Sequence, residues 1–137
     1  MNKNTFEILD CTIRDGGYYT DWNFSDDFIE DYLNACAKSP ISIIELGYIS
    51  RANDTNGPYY HLNKNLIKRA KKILGHKKKI FVMINFKEID SYSSLNKLLK
   101  DKVNYIDGVR FAVAPKDVKK LSNIVQKISK KIEVSGH

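Results

Sequence analysis

Within the run Asp10-Cys11-Thr12-Ile13-Arg14-Asp15-Gly16-Gly17, two carboxylates and a guanidinium fall inside six residues of an otherwise apolar stretch. Residues 6–13 carry the apolar and β-branched side chains of a buried strand, and Gly16-Gly17 supplies turn residues at its end. Side chains alternate along a strand, so Asp10, Thr12 and Arg14 are expected on one face, with Asp15 at the lip. Charged groups on a buried strand are costly unless they pair or act on charge in a substrate. Cys11 points the other way and is expected in the core.

A second landmark lies one helix further on, where Glu45 interrupts the apolar run Ile43-Ile44-Glu45-Leu46-Gly47. The bland reading is a structural Arg14–Glu45 ion pair between neighbouring strands. Together, however, the two motifs and their spacing resemble the metal-dependent aldolase and lyase family built on (β/α)8 barrels. Its members include 4-hydroxy-2-oxovalerate aldolase, hydroxymethylglutaryl-CoA lyase and isopropylmalate synthase. The family's first strand ends in Asp-x-Thr-(Leu/Ile)-Arg-Asp-Gly, matched by Asp10 to Gly16, and its second strand carries a glutamate, matched by Glu45.

The resemblance implies carbon–carbon bond chemistry on a 2-oxo acid, with Mn²⁺ or Mg²⁺ as cofactor. It implies Asp15 as a metal ligand, Arg14 as the charge that stabilises an enolate oxygen, and Glu45 as an active-site glutamate that could hold Arg14. Two departures accompany it. Tyr18 stands where the 4-hydroxy-2-oxovalerate aldolases use a histidine base, and a tyrosine's ordinary pKa near 10 makes it a poorer base at neutral pH. The family completes its metal site with a late His-x-His pair, whereas the histidines here are His61, His76 and His137. The remaining ligands are thus absent from this chain, which is expected to be inactive alone.

Other polar residues take supporting places. Asp10 and Thr12 could orient Arg14 or satisfy each other. Arg110, in Gly108-Val109-Arg110-Phe111-Ala112-Val113, resembles the family's fourth-strand arginine and could pair with an interior carboxylate such as Glu45. The segment 49–63 leaves the C-terminal end of strand 2, the end where barrel enzymes build their sites. Its Arg51 and His61 are candidates to touch substrate, though a polar loop with Gly57-Pro58 is equally a solvated excursion.

The elements that must position these residues alternate regularly. Strands are predicted near 6–13, 42–48, 79–86 and 106–113, and helices near 26–38, 64–74, 92–101 and 116–131. A fifth strand begins at Ile132-Glu133-Val134. Ser25 or Asp26 can cap the first helix and Pro40 follows its end. The fold class is therefore α/β, a partial TIM (β/α)8 barrel of about four and a half βα units with parallel strands. A complete barrel needs roughly 250 residues, so residues 1–137 are expected to be its N-terminal half, truncated or split.

Composition excludes more than it assigns. No apolar run approaches about 18 residues, so no membrane span is expected. The start of the chain lacks a signal-peptide layout, and two cysteines suit a reducing compartment, which together favour the cytoplasm. A net charge of +7 invites a nucleic-acid reading. The lysines instead lie on or just after amphipathic helices, at 68–72, 77–79 and 127–131, without a nucleic-acid motif, and a solvated outer face is expected. A half barrel leaves strand 1 with an open edge, so self-association or a complementary C-terminal half is expected as partner. The alternative to an enzyme half is a non-catalytic remnant or half-barrel assembly module.

Overall fold

A computed structural model of the chain describes residues 6–128 and 133–136. Five strands pair in parallel in the order β1-β2-β3-β4-β5. They are β1 (Leu9–Asp10), β2 (Ile43–Tyr48), β3 (Lys79–Asn85), β4 (Gly108–Ala112) and β5 (Glu133–Gly136). The helices are α1 (Thr12–Thr20), α2 (Asp26–Lys38), α3 (Lys64–Leu74), α4 (Tyr92–Leu99) and α5 (Val118–Val125). Sequential parallel order with a helix in each crossover is the construction of a (β/α)8 barrel wall, and the described part of the chain is a partial barrel of this kind.

Local chemistry explains the element ends. Ser25 Oγ accepts from the Phe28 N–H at 3.3 Å, and Asp26 and Asp27 occupy the positive first turn of α2. Asn63 caps α3 in the same way, accepting from the Leu66 N–H at 3.0 Å. The buried stripes Ile29, Leu33, Cys36 and Ile67, Ala70, Leu74 turn these helices onto the outer face of the sheet. There they meet Ile44, Leu46, Ile80, Val82, Ile84, Val109 and Phe111, all essentially inaccessible. Each such side chain contributes roughly 1.5–3 kcal/mol by leaving water.

The opposite face of the sheet carries the polar groups. Register places Glu45, Phe81 and Gly108 in one row and Tyr48, Met83 and Arg110 in the next. Two rows separated by two residues in β3 and β4 are separated by three in β2, because a bulge intervenes between Glu45 and Tyr48. Gly47 makes that bulge, with φ +147. A Cβ there would lie 2.1 Å from the Tyr59 carbonyl oxygen, which accepts from the Tyr48 N–H at 2.9 Å. The extra residue brings Tyr48 to the face that Glu45 occupies.

The first strand is much shorter than its composition suggests. Only Leu9–Asp10 pairs with β2, and the chain turns into α1 at Thr12. Asp10 decides this locally: its carboxylate accepts from the Thr12 N–H at 2.9 Å and from Thr12 Oγ at 3.1 Å, giving the backbone a helix start in place of a ladder. Asp10, Thr12 and Arg14 consequently do not share a strand face. Gly16 and Gly17 are helical rather than turn residues, and Gly17 is buried under the Trp22 ring, which a Cβ would meet at 2.1 Å.

Smaller differences have similar causes. Cys11 is half-buried, not core, since it precedes a helix rather than lying inside a strand. The expected helix over 116–131 is a short 3-10 turn, Pro115–Asp117, followed by α5, which ends at Val125 with residues 126–128 in turns; its expected last part over 129–131, the start of the fifth strand at Ile132, and His137 lie outside the described residues. Lys68, Lys72 and Lys77 are exposed as expected. Lys78 is buried instead, its ammonium donating to the Ser39 and Ile41 carbonyls beyond the end of α2. Among the described residues no helix is long and apolar enough to cross a membrane.

Replacing Gly47 with alanine forces a side chain into a strained φ and against a carbonyl. The Gly47→Ala chain is expected to lose about 1–3 kcal/mol or more of stability, read as a lowered urea midpoint at unchanged slope.

Candidate functional site

The site begins with a carboxylate that has no access to solvent. Glu45 is fully buried on the inner face of β2, and two guanidiniums converge on it. Arg14 Nε donates to Glu45 Oε1 at 2.8 Å, and Arg110 Nη1 donates to Oε1 and Oε2 at 3.2 and 3.0 Å. Three elements, α1, β2 and β4, are thereby joined through one side chain. Arg14 has a second anionic partner, Asp15, whose Oδ1 lies 2.6 Å from Nη1. Burial alone would weaken the charged form of Arg14, but the Glu45 hydrogen bond and the charges of Glu45 and Asp15 more than reverse this and raise its pKa. The guanidinium is therefore a permanent positive charge in a largely water-excluded place.

Helix α1 aims these groups. Trp22 Nε1 donates to the Arg14 carbonyl at 3.0 Å, tying the helix to the residue just beyond its end. Asp15 is more than half exposed and accepts from the Cys11 thiol at 3.1 Å. Burial, then the hydrogen bond to Asp15, pushes the Cys11 thiol up, so it is a donor here and not a thiolate nucleophile. Tyr18 follows Arg14 by one helical turn on the same side of α1. Its hydroxyl meets that of buried Tyr48 at 3.1 Å. The rings of Trp22, Tyr48 and Tyr60 pack on each other with centroids 4.8 to 5.9 Å apart. Asp10 and Thr12 satisfy each other, and the Tyr32 hydroxyl also donates to Asp10. Their place is beneath α1, as its foundation.

The segment after β2 is folded back on itself. Tyr48 N–H bonds to Tyr59 and the Tyr48 carbonyl to the Leu62 N–H, both at 2.9 Å, leaving 51–55 as an exposed tip. Glu88 anchors its first residues, accepting from Ser50 Oγ at 2.9 Å and from the Arg51 N–H at 2.8 Å. The Arg51 side chain itself is exposed. His61 Nε2 lies 2.8 Å from Asp54 Oδ1, a pair that ties the tip to the returning strand of the loop. Beside this loop, Asn85, Lys87, Ala112 and Asp117 line a cleft of about 260 Å³ at the C-terminal ends of β3 and β4. Tyr48, Glu88 and Asn85 carry no sequence signal. Only the bulge, the 3-10 turn after β3 and the strand register bring them to this end.

Asp15, expected as a metal ligand, is an exposed carboxylate beside Arg14. Among the described residues no group of three or more His, Cys, Asp or Glu side chains could hold a metal ion. By themselves, then, these residues do not fit a metal, which needs several oxygen or nitrogen donors. What they do form is a cluster of two guanidiniums and two carboxylates on the inner face of the parallel sheet, with Glu45 buried and Asp15 exposed.

Two outcomes test this geometry. Glu45→Gln removes the counter-charge that the two guanidiniums share, leaving Arg14 with only Asp15, and is expected to destabilise the chain by about 3–5 kcal/mol, measured by urea unfolding. A loss below 1 kcal/mol would show that Glu45 is not the hub. The Asp54 carboxyl is held below the ordinary carboxylate range, chiefly by its hydrogen bond to His61. A lowered folded-state pKa means that the pairing contributes above the ordinary value and is lost as pH falls through the lowered one. Carboxyl ¹³C NMR should follow Asp54 titrating below its ordinary range, with the midpoint moving upward in His61→Asn.

No protein-family model matches the sequence, and no curated protein does. Among solved structures, the chain is similar to the crystal structure of the N-terminal domain of a putative aldolase from Bacteroides vulgatus. The two are 31% identical with a TM-score of 0.87, and the match covers 96% of this chain. The chain spans 44% of the length of the matched one. Sequence and backbone thus agree that it folds as an aldolase-like N-terminal domain.

Proposed function

We propose that this chain is the N-terminal half of an aldolase-type (β/α)8 barrel that makes or breaks a carbon–carbon bond in a 2-oxo acid. The observation that carries the reading is Arg14, a permanent guanidinium oriented by buried Glu45 and flanked by exposed Asp15. In cleavage of a 4-hydroxy-2-oxo acid the hydroxyl proton leaves and the neighbouring carbon–carbon bond breaks. The electron pair moves into the keto group, leaving an enolate and releasing an aldehyde. Arg14 is suited to stabilise the enolate oxygen, and its pre-set orientation means that no reorganisation is needed as charge develops. Arg110 shares Glu45, and N–H groups of its guanidinium fork not given to Glu45 are suited to hold the substrate carboxylate. Tyr18 is the group on the Arg14 side of α1 that can hold a proton at the substrate hydroxyl.

Asp15 is proposed as one ligand of Mn²⁺ or Mg²⁺, the other ligands coming from outside the described residues; when bound, such a cation would polarise the keto group. The rest of the barrel wall is proposed to come from a complementary C-terminal half or a second copy, which would pair with the free edges of β1 and β5. A small-molecule substrate and a cytoplasmic setting go with this reading, and nucleic acid is not a partner in it. A second reading, a non-catalytic half-barrel module, accords with the incomplete donor set among the described residues.

The natural full-length protein, assayed with Mn²⁺ against a panel of 4-hydroxy-2-oxo acids for release of a 2-oxo acid, separates the two. Turnover that falls about 100- to 1,000-fold in kcat in Arg14→Ala and stops with chelator supports the enzyme. Absence of both turnover and binding of oxalate, a mimic of the enolate, supports the module.

A further inference from the structure

Tyr48 is a buried side chain on the inner face whose presence there depends on an irregularity of the backbone. In a regular strand, residues three apart point to opposite faces, so Tyr48 would leave the Glu45 face and enter the helix-covered core. The Gly47 bulge prevents this and sets Tyr48 in the row of Met83 and Arg110. Bulges often re-aim a side chain beside a functional site. A phenylalanine would fill the same space between Trp22 and Tyr60, so packing alone does not call for the hydroxyl.

That hydroxyl is spent on Tyr18. The two phenolic oxygens are 3.1 Å apart, and Tyr18 is otherwise largely exposed, its ring edge-on to Trp22 at 4.7 Å. Without this contact a side chain on the outer rim of α1 would sample several rotamers. We propose that Tyr48 is a positioning residue: through the Gly47 bulge it fixes the Tyr18 oxygen on the Arg14 side of α1, at the mouth of the Arg14–Glu45–Arg110 cluster. This rests on the reading of Tyr18 as the proton-holding group of the proposed reaction.

The groups facing the pair suit that role. Arg14 and Tyr18 come from α1, and Tyr60 from the loop after β2, while Asp54 and Glu88 lie further out around Tyr60. Burial first, then the hydrogen bond to Tyr18, pushes the Tyr48 hydroxyl up, and Arg14 opposes this only in part. Tyr48 thus keeps its proton. It can donate to Tyr18 when Tyr18 has given its own proton away, and accept from Tyr18 when it has not.

The test has two arms that fail separately. In the 137-residue chain with tyrosines ¹³C-labelled at Cζ, Tyr18→Phe should move the Tyr48 resonance and Tyr48→Phe the Tyr18 resonance. Absence of this reciprocity overturns the hydroxyl pair. In the natural full-length protein, Tyr48→Phe is expected to lower kcat about 10-fold at unchanged KM, and the double variant should lose no more than Tyr18→Phe alone. Losses that multiply, or an unchanged kcat, overturn the positioning role. If the unaltered protein turns over no 2-oxo acid, the proposed reaction falls, and the resonances alone then support or overturn the pairing.

Discussion

One buried carboxylate organises the described partial barrel. Glu45 sits in the middle of β2 with no solvent contact and is compatible with that place only because two guanidiniums reach it. An isolated ionised carboxyl in an apolar interior would be prohibitively unfavourable, so the pairing is a condition of the fold as much as a feature of the site. It also sets geometry. α1 must present Arg14 from one side and β4 must present Arg110 from the other, at a register that places Gly108 rather than a larger residue beside Phe81. A site that the fold cannot form without is necessarily pre-organised.

The aromatic wall does a related job for the outer rim. Trp22 is buried although it lies just past a helix end, in a left-handed backbone conformation. Its indole N–H holds the Arg14 carbonyl, and its ring covers Gly17 and stacks beside Tyr60. The helix that carries Arg14 and Asp15 is therefore clamped at both ends, by Asp10 at its start and Trp22 beyond its finish. Rigid support of this kind lets a short nine-residue helix aim charged side chains without tertiary cover on its outer side.

Much of this was legible in the sequence. Periodicity located α2 and α3 to the residue, because their apolar stripes and caps lie inside the segment itself: Ser25, Asn63 and the Ile29–Leu33 and Ile67–Leu74 spacings are local facts. That Arg14 and Arg110 could each pair with Glu45 was also legible, since an interior carboxylate requires a cation; that both reach it at once, Arg14 from helix α1 and Arg110 from β4 across β3, was not. The motif's conformation was not. Thr12 to Thr20 have the β-branched and glycine content of a strand and turn, and their helix depends on the Asp10 carboxylate accepting from Thr12.

The sequence by itself determined the alternation of strands and helices, the charge types available to the site and which helix faces are apolar. Each of these follows from spacing within one element. The tertiary structure alone decided which faces those charges share: the Gly47 bulge turns Tyr48 inward, Glu88 anchors Ser50 and Arg51 from thirty-seven or more residues away, and Asp54 meets His61 across a folded loop. The reason is physical. Which way a side chain points after a bulge, or what a loop carboxylate touches, depends on the register and closure of distant backbone, which local preference does not encode.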